Sequence, residues 1–233
     1  MNIIITGASS GVGYQAVLQL LKEVGHKVIA IARSADLLNK LLQQTKKGSS
    51  ASQLYILPFD IVHGDYNQLV PFIKSHFSSV DVLINNAGSL VNKAFADTTI
   101  EDLDLMLQTN LVGHFKMIQS VLPLMGNPSH ILNIGSMGGY QGSVKFPGLA
   151  AYSASKAALH VLTECLAAEL SEKNIKVNCL SLGSAQTEML SKAFPGYQSP
   201  VSAESMGQYI ADFAMKGHQL FNGKILPVAV TTP

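Results

Sequence analysis

Tyr152 and Lys156 are four positions apart in a stretch of the chain that has helical periodicity. This spacing places both side chains on one face of the helix. A lysine ammonium beside a phenol favours the phenolate, and so it lowers a tyrosine pKa that starts near ~10. The pair therefore predicts a tyrosine that can exchange a proton at neutral pH.

A glycine-rich turn, TGASSGVG, begins at residue 6 and joins the first predicted strand to the first predicted helix. Gly7 permits the tight turn, Gly11 lets a pyrophosphate approach the backbone, and Gly13 lets the helix pack closely on the sheet. The N–H groups at the start of the helix attract phosphate, and Ser9 and Ser10 add hydroxyl donors. An ordinary strand-to-helix turn is the alternative, but the position inside a β-α-β unit favours a dinucleotide.

The rest of the chain alternates short apolar runs with helical patterns. The predicted strands are residues 3–6, 27–32, 54–59, 80–85, 131–134, 175–182 and 225–230. The predicted helices are residues 12–24, 36–45, 66–77, 99–125 (broken late by Pro123) and 152–171. This alternation predicts a parallel sheet with helices on both faces, which is a Rossmann-like, doubly wound α/β fold.

Two segments are predicted to be loops: residues 46–52, and a stretch at 190–205 that is rich in proline and serine. No Pro-, Gly- or Ser-rich linker is long enough to divide the chain, so residues 1–233 are expected to form a single NAD(P)-binding domain. In folds of this kind the position of the second loop often covers the active site. We therefore expect a substrate-covering loop near residues 188–206.

The order of the motifs resembles that of the short-chain dehydrogenase/reductase family, in particular its carbonyl and 3-oxoacyl reductases. Besides the turn Thr-Gly-x-x-x-Gly-x-Gly, the chain has Asn-Asn-Ala-Gly at residues 85–88, where the fourth predicted strand ends. Asn110 lies in the long predicted helix, Ser136 ends the fifth predicted strand, and Tyr152 and Lys156 follow. The resemblance covers essentially the whole chain, and the combination is far more specific than any one motif.

The resemblance implies that Asn110, Ser136, Tyr152 and Lys156 form a catalytic tetrad. Ser136 would polarise the substrate oxygen, and Tyr152 would give a proton to the alkoxide that forms during reduction. Lys156 would hold the hydroxyls of the nicotinamide ribose and bias the pKa of Tyr152. Asn110 would hold a water that links the lysine to solvent. Each residue alone also has a structural explanation, but the four together in this order favour catalysis.

The resemblance also implies a set of cofactor contacts. Asp60 and Ile61 match the pair that holds the adenine, and Gly183 and Thr187 match residues that contact the nicotinamide end. In chain order the expected contacts are Gly7, Ser9, Ser10, Gly11, Val12, Gly13, Arg33, Asp60, Ile61, Asn86, Ala87, Gly88, Tyr152, Lys156, Gly183 and Thr187. The hydride would come from the cofactor.

The end of the second predicted strand indicates which nicotinamide cofactor fits. An acidic residue there would bind the ribose 2′-hydroxyl of NAD, but Ala32 occupies the position and Arg33 follows it. A guanidinium suits bidentate recognition of a 2′-phosphate. We therefore expect NADP(H) to be favoured over NAD(H), and a solvated surface arginine is the alternative.

The chain departs from the family pattern in two places near the expected substrate site. The segment 137–151, between Ser136 and Tyr152, is longer than is usual in the family. Leu182 stands before Gly183, where the family usually has proline. Both differences lie beside the residues of the expected tetrad and cofactor site, so they change the wall of the site rather than its chemistry.

Composition argues against several other classes of protein. A hydrophobic content of 47% and a charged content of 13% indicate a folded core rather than disorder. The net charge is +1 with no basic run, so nucleic acid is not an expected partner. Cys165 and Cys179 form no ligand-spaced motif, so neither a metal site nor a disulfide framework is expected. No signal peptide pattern and no apolar run of ~20 residues is present, which predicts a soluble cytoplasmic protein.

The expected function is NADP-dependent transfer of a hydride between nicotinamide and a carbonyl or alcohol substrate, with Tyr152 as general acid and base. One alternative is a 3-oxoacyl thioester reductase, although the sequence has no clear basic patch for an acyl carrier partner. A second alternative is a cofactor-binding regulator or scaffold with this fold and no turnover.

The predicted helix 152–171 carries apolar residues on more than one face, whereas a helix packed on one side shows a single apolar stripe. The family resemblance implies that this helix and the one around Asn110 pair with their copies across a two-fold axis. We therefore expect a homodimer or homotetramer. The alternative is that the 190–205 loop or the C-terminal segment covers the extra face within one subunit.

Overall fold

Parallel strands form a single sheet in the computed structural model, which describes residues 1–45 and 52–230. The strands are β1 (Asn2–Thr6), β2 (Lys27–Ala32), β3 (Gln53–Pro58), β4 (Val80–Asn85), β5 (Met125–Ser136), β6 (Ile175–Leu182) and β7 (Ile225–Val228). Their order across the sheet is β3-β2-β1-β4-β5-β6-β7, and each neighbouring pair is parallel. The order reverses between β1 and β4, and open α/β sheets bind ligands in the crevice at the carboxyl ends of the strands at such a point.

Helices cover both faces of this sheet. Within the described ranges they are α1 (Gly11–Leu20), α2 (Ala35–Thr45), α3 (Tyr66–His76), α4 (Ile100–Leu107), α5 (Gly113–Val121), α6 (Ala150–Glu169), α7 (Glu188–Ala193) and α8 (Ala203–Lys216). Ile3 and Ile5 of β1 pack in a buried cluster with α1, α2 and α8, and Ile4 packs in a second cluster with α3 and α5. Because successive side chains of a strand point to opposite faces, both clusters are needed to bury one apolar strand. The prediction of a doubly wound, Rossmann-like single domain is confirmed.

The long predicted helix 99–125 is divided in the structure. After α4 the chain makes a π-helical turn at Gln108–Val112, continues as α5, and enters β5 at Met125. The prediction missed the π turn and placed the end of the helix too late, because α5 ends at Val121, whereas the predicted break at Pro123 falls in the 3₁₀ turn Leu122–Leu124 that follows. Single π turns inside helices are frequent at functional sites, and Asn110 is the middle residue of this one.

Several other boundaries differ from the sequence prediction. The first helix ends at Leu20 instead of residue 24, and β5 is much longer than the predicted 131–134. β5 extends because Ser129 and His130 continue the register with β6 although they are polar. Apolar periodicity does not report such backbone pairing. The predicted loop 46–52 lies almost entirely outside the described residues.

The sequence pattern predicts neither α7 nor α8, so the prediction that 190–205 is simply a loop is wrong where α7 and the start of α8 occupy it. α8 begins where the Ser202 hydroxyl accepts a hydrogen bond from the N–H of Ser205 at 3.0 Å. It packs against α1 at Gly207, where an added Cβ would lie 2.5 Å from the Cβ of Gln15. The serine cap was a readable signal for this helix.

Candidate active site

The glycine-rich turn lies at the carboxyl end of β1 and leads into α1. Gly7 and Gly11 have φ angles of 67° and 58°, in the left-handed region that favours glycine. An added Cβ on Gly13 would overlap the amide nitrogen of Asn86 and lie 2.5 Å from the carbonyl oxygen of Gly7. The start of the helix therefore approaches the strand end closely, and the first N–H groups of a helix suit a phosphate. The turn also brings Ser9, Ser10 and Val12 to the wall of the cleft.

Asn86 ties this turn to the end of the neighbouring strand β4. Its side-chain Nδ2 donates to the carbonyl oxygens of Thr6 at 3.0 Å and Gly7 at 3.1 Å. The Thr6 hydroxyl in turn accepts from the N–H groups of Asn86 at 3.0 Å and Ala87 at 3.1 Å. These four hydrogen bonds fix the crevice between β1 and β4, and Asn86, Ala87 and Gly88 line it.

Arg33 and Asp60 follow β2 and β3 and line the same cleft. Arg33 is exposed, and within the described part of the chain no carboxylate forms an ion pair with it. The Asp60 carboxylate accepts from the N–H groups of Val62 at 2.7 Å and His63 at 3.3 Å, so it shapes its own loop. Ile61 is buried beside it. The adenine contacts of Asp60 and Ile61 stay predictions.

Ser136 and Tyr152 are brought together at the carboxyl end of β5. Ser136 is the last residue of the strand, and Tyr152 lies in the first turn of α6. The Ser136 hydroxyl is near enough to Tyr152 to favour its phenolate. An added Cβ on Gly138 would lie 3.5 Å from the Ser136 Oγ and 3.7 Å from the Tyr152 Cε1, so the two side chains meet around this glycine. Two hydroxyl groups therefore face the same small region of the cleft.

The environment of Tyr152 raises the pKa of its phenol above the ordinary value. Burial is the larger cause, because it disfavours the charged phenolate, and the hydrogen bond from Ser136 opposes it. The sequence-based prediction of a lowered pKa is therefore wrong. Lys156, the expected partner of the Tyr152 phenol, instead donates a hydrogen bond to a backbone carbonyl.

Lys156 is buried, with 4% of its surface exposed, and its Nζ donates to the carbonyl oxygen of Ile134 in β5 at 2.8 Å. Burial lowers the pKa of this ammonium to about 8. The group is still predominantly charged at neutral pH. An added Cβ on Gly88 would lie 3.6 Å from this Nζ, so Lys156 reaches the strand end of the cleft.

Asn110 is fully buried and uses its side chain to hold the segment after β4. Its Oδ1 accepts from the N–H of Ser89 at 2.9 Å, and its Nδ2 donates to the carbonyl of Ser89 at 3.0 Å. The same Nδ2 donates to the hydroxyl of Ser155 at 3.0 Å. The side chain of Asn110 thus links the π turn, the strand end and α6. Its expected role in holding a water stays a prediction.

Three buried groups interact with Lys156, and sequence reasoning connected none of them with this lysine. They are His114, His160 and Cys179, and each interacts electrostatically with the Lys156 charge. Burial lowers the pKa of His114 to about 3 and that of His160 to about 4, and it raises the pKa of Cys179 to about 12. All three are therefore neutral at pH 7, and Lys156 is the charged member of this group.

A readable signal for the two histidines was their spacing. His114 is four positions after Asn110, and His160 is four positions after Lys156, which places each pair on one face of its helix. The Nε2 of His114 lies 2.7 Å from the carbonyl oxygen of Ala87, in the cleft wall.

Gly183 and Thr187 follow β6, and Thr187 lies next to the glycine-rich turn. An added Cβ on Gly11 would lie 3.4 Å from the Cγ2 of Thr187, so the two segments are in contact. Thr187 also caps α7 by accepting from the N–H of Leu190 at 3.2 Å. The N–H of Gly183 donates to Val228 of β7 at 2.9 Å. Both predicted nicotinamide contacts line the cleft.

One continuous cavity of about 1140 Å³ contains nearly all of these residues. Every predicted cofactor contact lines it, as do Ser136, Tyr152 and Lys156, whereas Asn110 lies behind its wall. No cluster of three or more potential metal-ligating side chains occurs among the described residues. Within residues 1–45 and 52–230, no helix is long and apolar enough to cross a membrane.

The comparisons with known proteins all indicate the same family. Residues 1–198 match the sequence model for the short chain dehydrogenase family. An uncharacterized oxidoreductase of Staphylococcus epidermidis is 27% identical over 210 residues, which are 89% of this chain and 87% of that protein. A similar oxidoreductase of Staphylococcus aureus is 28% identical over the same shares.

Several solved structures have a similar fold over almost the whole length of this chain. The 3-ketoacyl-(acyl-carrier-protein) reductase from Brucella melitensis, complexed with NADH, is 25% identical with a TM-score of 0.85, covering 97% of this chain and 96% of that one. A short-chain dehydrogenase/reductase from Serratia marcescens is 26% identical with a TM-score of 0.84, covering 97% and 95%. The L-sorbose reductase from Gluconobacter frateurii, complexed with NADPH and L-sorbose, has a TM-score of 0.86 at 22% identity, covering 99% and 95%, and shows the shared fold.

Proposed function

The chain belongs to the short chain dehydrogenase family, and from that premise we propose that it is an NADP-dependent reductase. It transfers a hydride between a nicotinamide and a carbonyl or alcohol substrate, with Tyr152 as general acid and base. The observation that carries this proposal is that Ser136, Tyr152 and Lys156 line the same cleft as the glycine-rich turn.

The residues of the cleft fit a nicotinamide dinucleotide. Gly7, Gly11 and Gly13 carry no side chain, so the backbone of the turn 7–13 is open for a pyrophosphate to lie against it. Asp60 and Ile61 hold the adenine, and Gly183 and Thr187 meet the nicotinamide end. When bound, the cofactor supplies the hydride. The NADH complex of the Brucella relative supports a nicotinamide cofactor in this chain.

Arg33 makes NADP the preferred form of that cofactor. Its guanidinium is exposed in the cleft at the end of β2, and no carboxylate of the described chain competes for it. A 2′-phosphate offers it a doubly charged, bidentate partner. Ala32, in the preceding position, cannot accept a hydrogen bond from a ribose 2′-hydroxyl as an acidic residue would.

Reduction adds a hydride to the carbonyl carbon and a proton to its oxygen. Ser136 donates a hydrogen bond to that oxygen, and Tyr152 supplies the proton from its O–H group. Because burial raises the pKa of Tyr152, the phenol is protonated at neutral pH, which an acid requires. The Lys156 ammonium then balances the phenolate until a proton returns from solvent.

Asn110 and Lys156 both approach Gly88 in this scheme. An added Cβ on Gly88 would lie 3.2 Å from the Asn110 Oδ1 and 3.6 Å from the Lys156 Nζ, so the two side chains are close neighbours. This closeness supports a water held at Asn110 that passes protons between Lys156 and solvent. Lys156 also holds the hydroxyls of the nicotinamide ribose.

The segment 188–206 covers the substrate, and it contains α7 and the first turn of α8. Met189, Leu190 and Phe194 of this segment line the cleft. An apolar stripe on α6 supports assembly into a homodimer or homotetramer. Val161 has 58% of its surface exposed, and Cys165 and Ala168 follow it on the same face at helical spacing.

A 3-oxoacyl thioester is the second candidate substrate. The similarity to the Brucella 3-ketoacyl-(acyl-carrier-protein) reductase favours it. Its reaction is the same carbonyl reduction, so it uses the same Ser136 and Tyr152 roles. Only the part of the substrate beyond the carbonyl differs between the two candidates.

The decisive experiment follows NADPH oxidation with a panel of carbonyl compounds in wild type and in Tyr152→Phe. Loss of the acid should reduce kcat by at least ~10²–10⁴, while the NADPH dissociation constant stays within a factor of about two, since the ring is kept. Tyr209→Phe is the matched control, because Tyr209 is an exposed residue of α8 outside the cleft. Retention of most activity in Tyr152→Phe would overturn the catalytic assignment. A wild type that binds NADPH without turnover would instead indicate a cofactor-binding regulator.

A further inference from the structure

Three segments border the part of the cleft that holds Ser136 and Tyr152, and hydrogen bonds join them. They are the segment after β4 that contains Asn92, the loop 139–149 before α6, and α7. The Asn92 Nδ2 donates to the carbonyl of Ala193 at the end of α7 at 2.7 Å. The N–H of Lys93 donates to the carbonyl of Gly148 at 3.0 Å. The wall of this end of the cleft is therefore one connected structure.

The wall is largely apolar, and part of it is exposed to water. Phe146 and Leu149 come from the loop, and Met189, Leu190 and Phe194 come from α7 or the residue after it. Phe146 has 48% of its surface exposed and Met189 has 44%. Apolar side chains that line a groove and stay exposed gain free energy when a ligand covers them. The covering part of the ligand must itself be apolar.

The lysines of these three segments all have other partners and do not line the cavity. The Lys93 Nζ lies 2.7 Å from the Asp102 carboxylate, and the Lys192 Nζ lies 2.8 Å from that of Glu188. The Lys145 Nζ donates to the Tyr140 carbonyl and the Ser143 hydroxyl, at 2.5 and 2.6 Å. The charged side chain that this wall does present to the cavity is the Glu188 carboxylate.

The other cationic side chains that line the cleft are either too far from this wall to bind an anionic substrate or already hydrogen-bonded. Arg33 and His63 follow β2 and β3. β2 is three strands from β5 in the sheet order, which is ~14 Å at the usual strand spacing. Lys156 is buried on the carbonyl of Ile134. Within the described residues, the wall beside Tyr152 thus offers an anionic substrate no basic partner.

We propose that the substrate is an uncharged ketone or aldehyde whose carbonyl carries a large apolar chain or ring, and that carboxylate and phosphate groups are selected against. This substrate class rests on the proposed reductase function. The apolar wall selects for the chain, because each buried methylene should raise kcat/KM about fourfold. Because the Glu188 carboxylate is paired with Lys192, selection against a negative charge at the far end of the chain comes from the lack of a free cation in this wall.

The experiment compares methyl ketones of increasing chain length with keto acids of the same length, in wild type with NADPH. We expect kcat/KM to rise about threefold to fourfold per added methylene until the wall is covered. We also expect each neutral ketone to exceed its matched keto acid by at least ~10-fold. Two variants then test the wall itself. Met189→Lys adds a cation at the rim, and Leu220→Lys adds one at an exposed apolar residue outside the cleft.

Met189→Lys should reduce the preference for neutral ketones about fivefold, the effect of one exposed ion pair, while Leu220→Lys should leave it unchanged. Equal or better turnover of the keto acids, or no dependence on chain length, would overturn this inference and leave the reductase function standing. An equal effect of the two lysine variants would show that the wall is not the selective element. If NADPH binds but no carbonyl compound is reduced, the reductase proposal fails and this inference fails with it.

Discussion

The buried ammonium of Lys156 should destabilise the folded protein, so a neutral replacement of similar length should stabilise it. The pKa of Lys156 falls from 10.5 to about 8 on folding. Since one pKa unit corresponds to ~1.36 kcal/mol, the charged form costs about 3 kcal/mol of folding free energy. Lys156→Met removes that cost but also removes the hydrogen bond to Ile134 O, which contributes ~1–2 kcal/mol. The variant should therefore be more stable than wild type by about 1–2 kcal/mol near pH 7.

The sign of this effect should change with pH. The folded-state pKa is lower than the unfolded one, so below pH 8 both states carry the proton and the full cost is present. The cost is lost as pH rises from about 8 to 10.5, because the folded state then releases its proton first. At pH 10.5 or above, only the missing hydrogen bond remains, and Lys156→Met should be the less stable protein.

Denaturant unfolding of both proteins without cofactor, near neutral pH and near pH 10.5, measures this difference. The other titrating groups are present in both proteins, and those that interact with Lys156, which are His114, His160 and Cys179, are neutral at both pH values. Lys40→Met is the matched control, because Lys40 is exposed on α2 and its replacement should change stability by less than ~0.5 kcal/mol at both pH values. A variant that is less stable than wild type at pH 7, or a difference that does not vary with pH, would refute the reasoning.

Three further outcomes are expected. Lys156→Ala should weaken both NADPH affinity and kcat, because one ammonium has two roles; an unchanged dissociation constant in a fluorescence titration would show that the ribose contact is wrong. Wild type should prefer NADPH, and Arg33→Ala should reduce that preference by ~10-fold or more through the lost bidentate contact; equal or better kcat/KM with NADH in wild type would contradict the role of Arg33. Sedimentation at micromolar concentration should show a dimer or tetramer, and a clean 24.9 kDa monomer would disprove assembly through α6.

The fold was predictable because its signals are local in the sequence. The apolar runs 27–32, 80–85 and 175–182 were predicted to be strands. They have the same boundaries as β2, β4 and β6 in the structure. The prediction failed where tertiary contacts decide the outcome. α8 is stabilised by its packing on α1 at Gly207, and the π turn around Asn110 follows from hydrogen bonds to Ser89 and Ser155. Neither contact can be read from local periodicity.

The residues of the candidate site were predictable for a similar reason. The turn 7–13 needs glycine for its backbone conformation, and the observed φ angles of Gly7 and Gly11 show that need directly. The spacing of Tyr152 and Lys156 follows from helix geometry. What the residues do to each other was not predictable, since the Lys156 ammonium donates to the carbonyl of Ile134 and burial raises the pKa of the Tyr152 phenol.

The sequence by itself determined which residues reach the cleft, because strand order, helix spacing and turn chemistry place them at the carboxyl edge of the sheet. The tertiary structure decided their charge states. Burial by segments distant in the chain raises the pKa of Tyr152 and lowers those of Lys156, His114 and His160. A pKa depends on the loss of solvent around a group. That loss is produced by the three-dimensional packing and not by the neighbouring residues in the sequence.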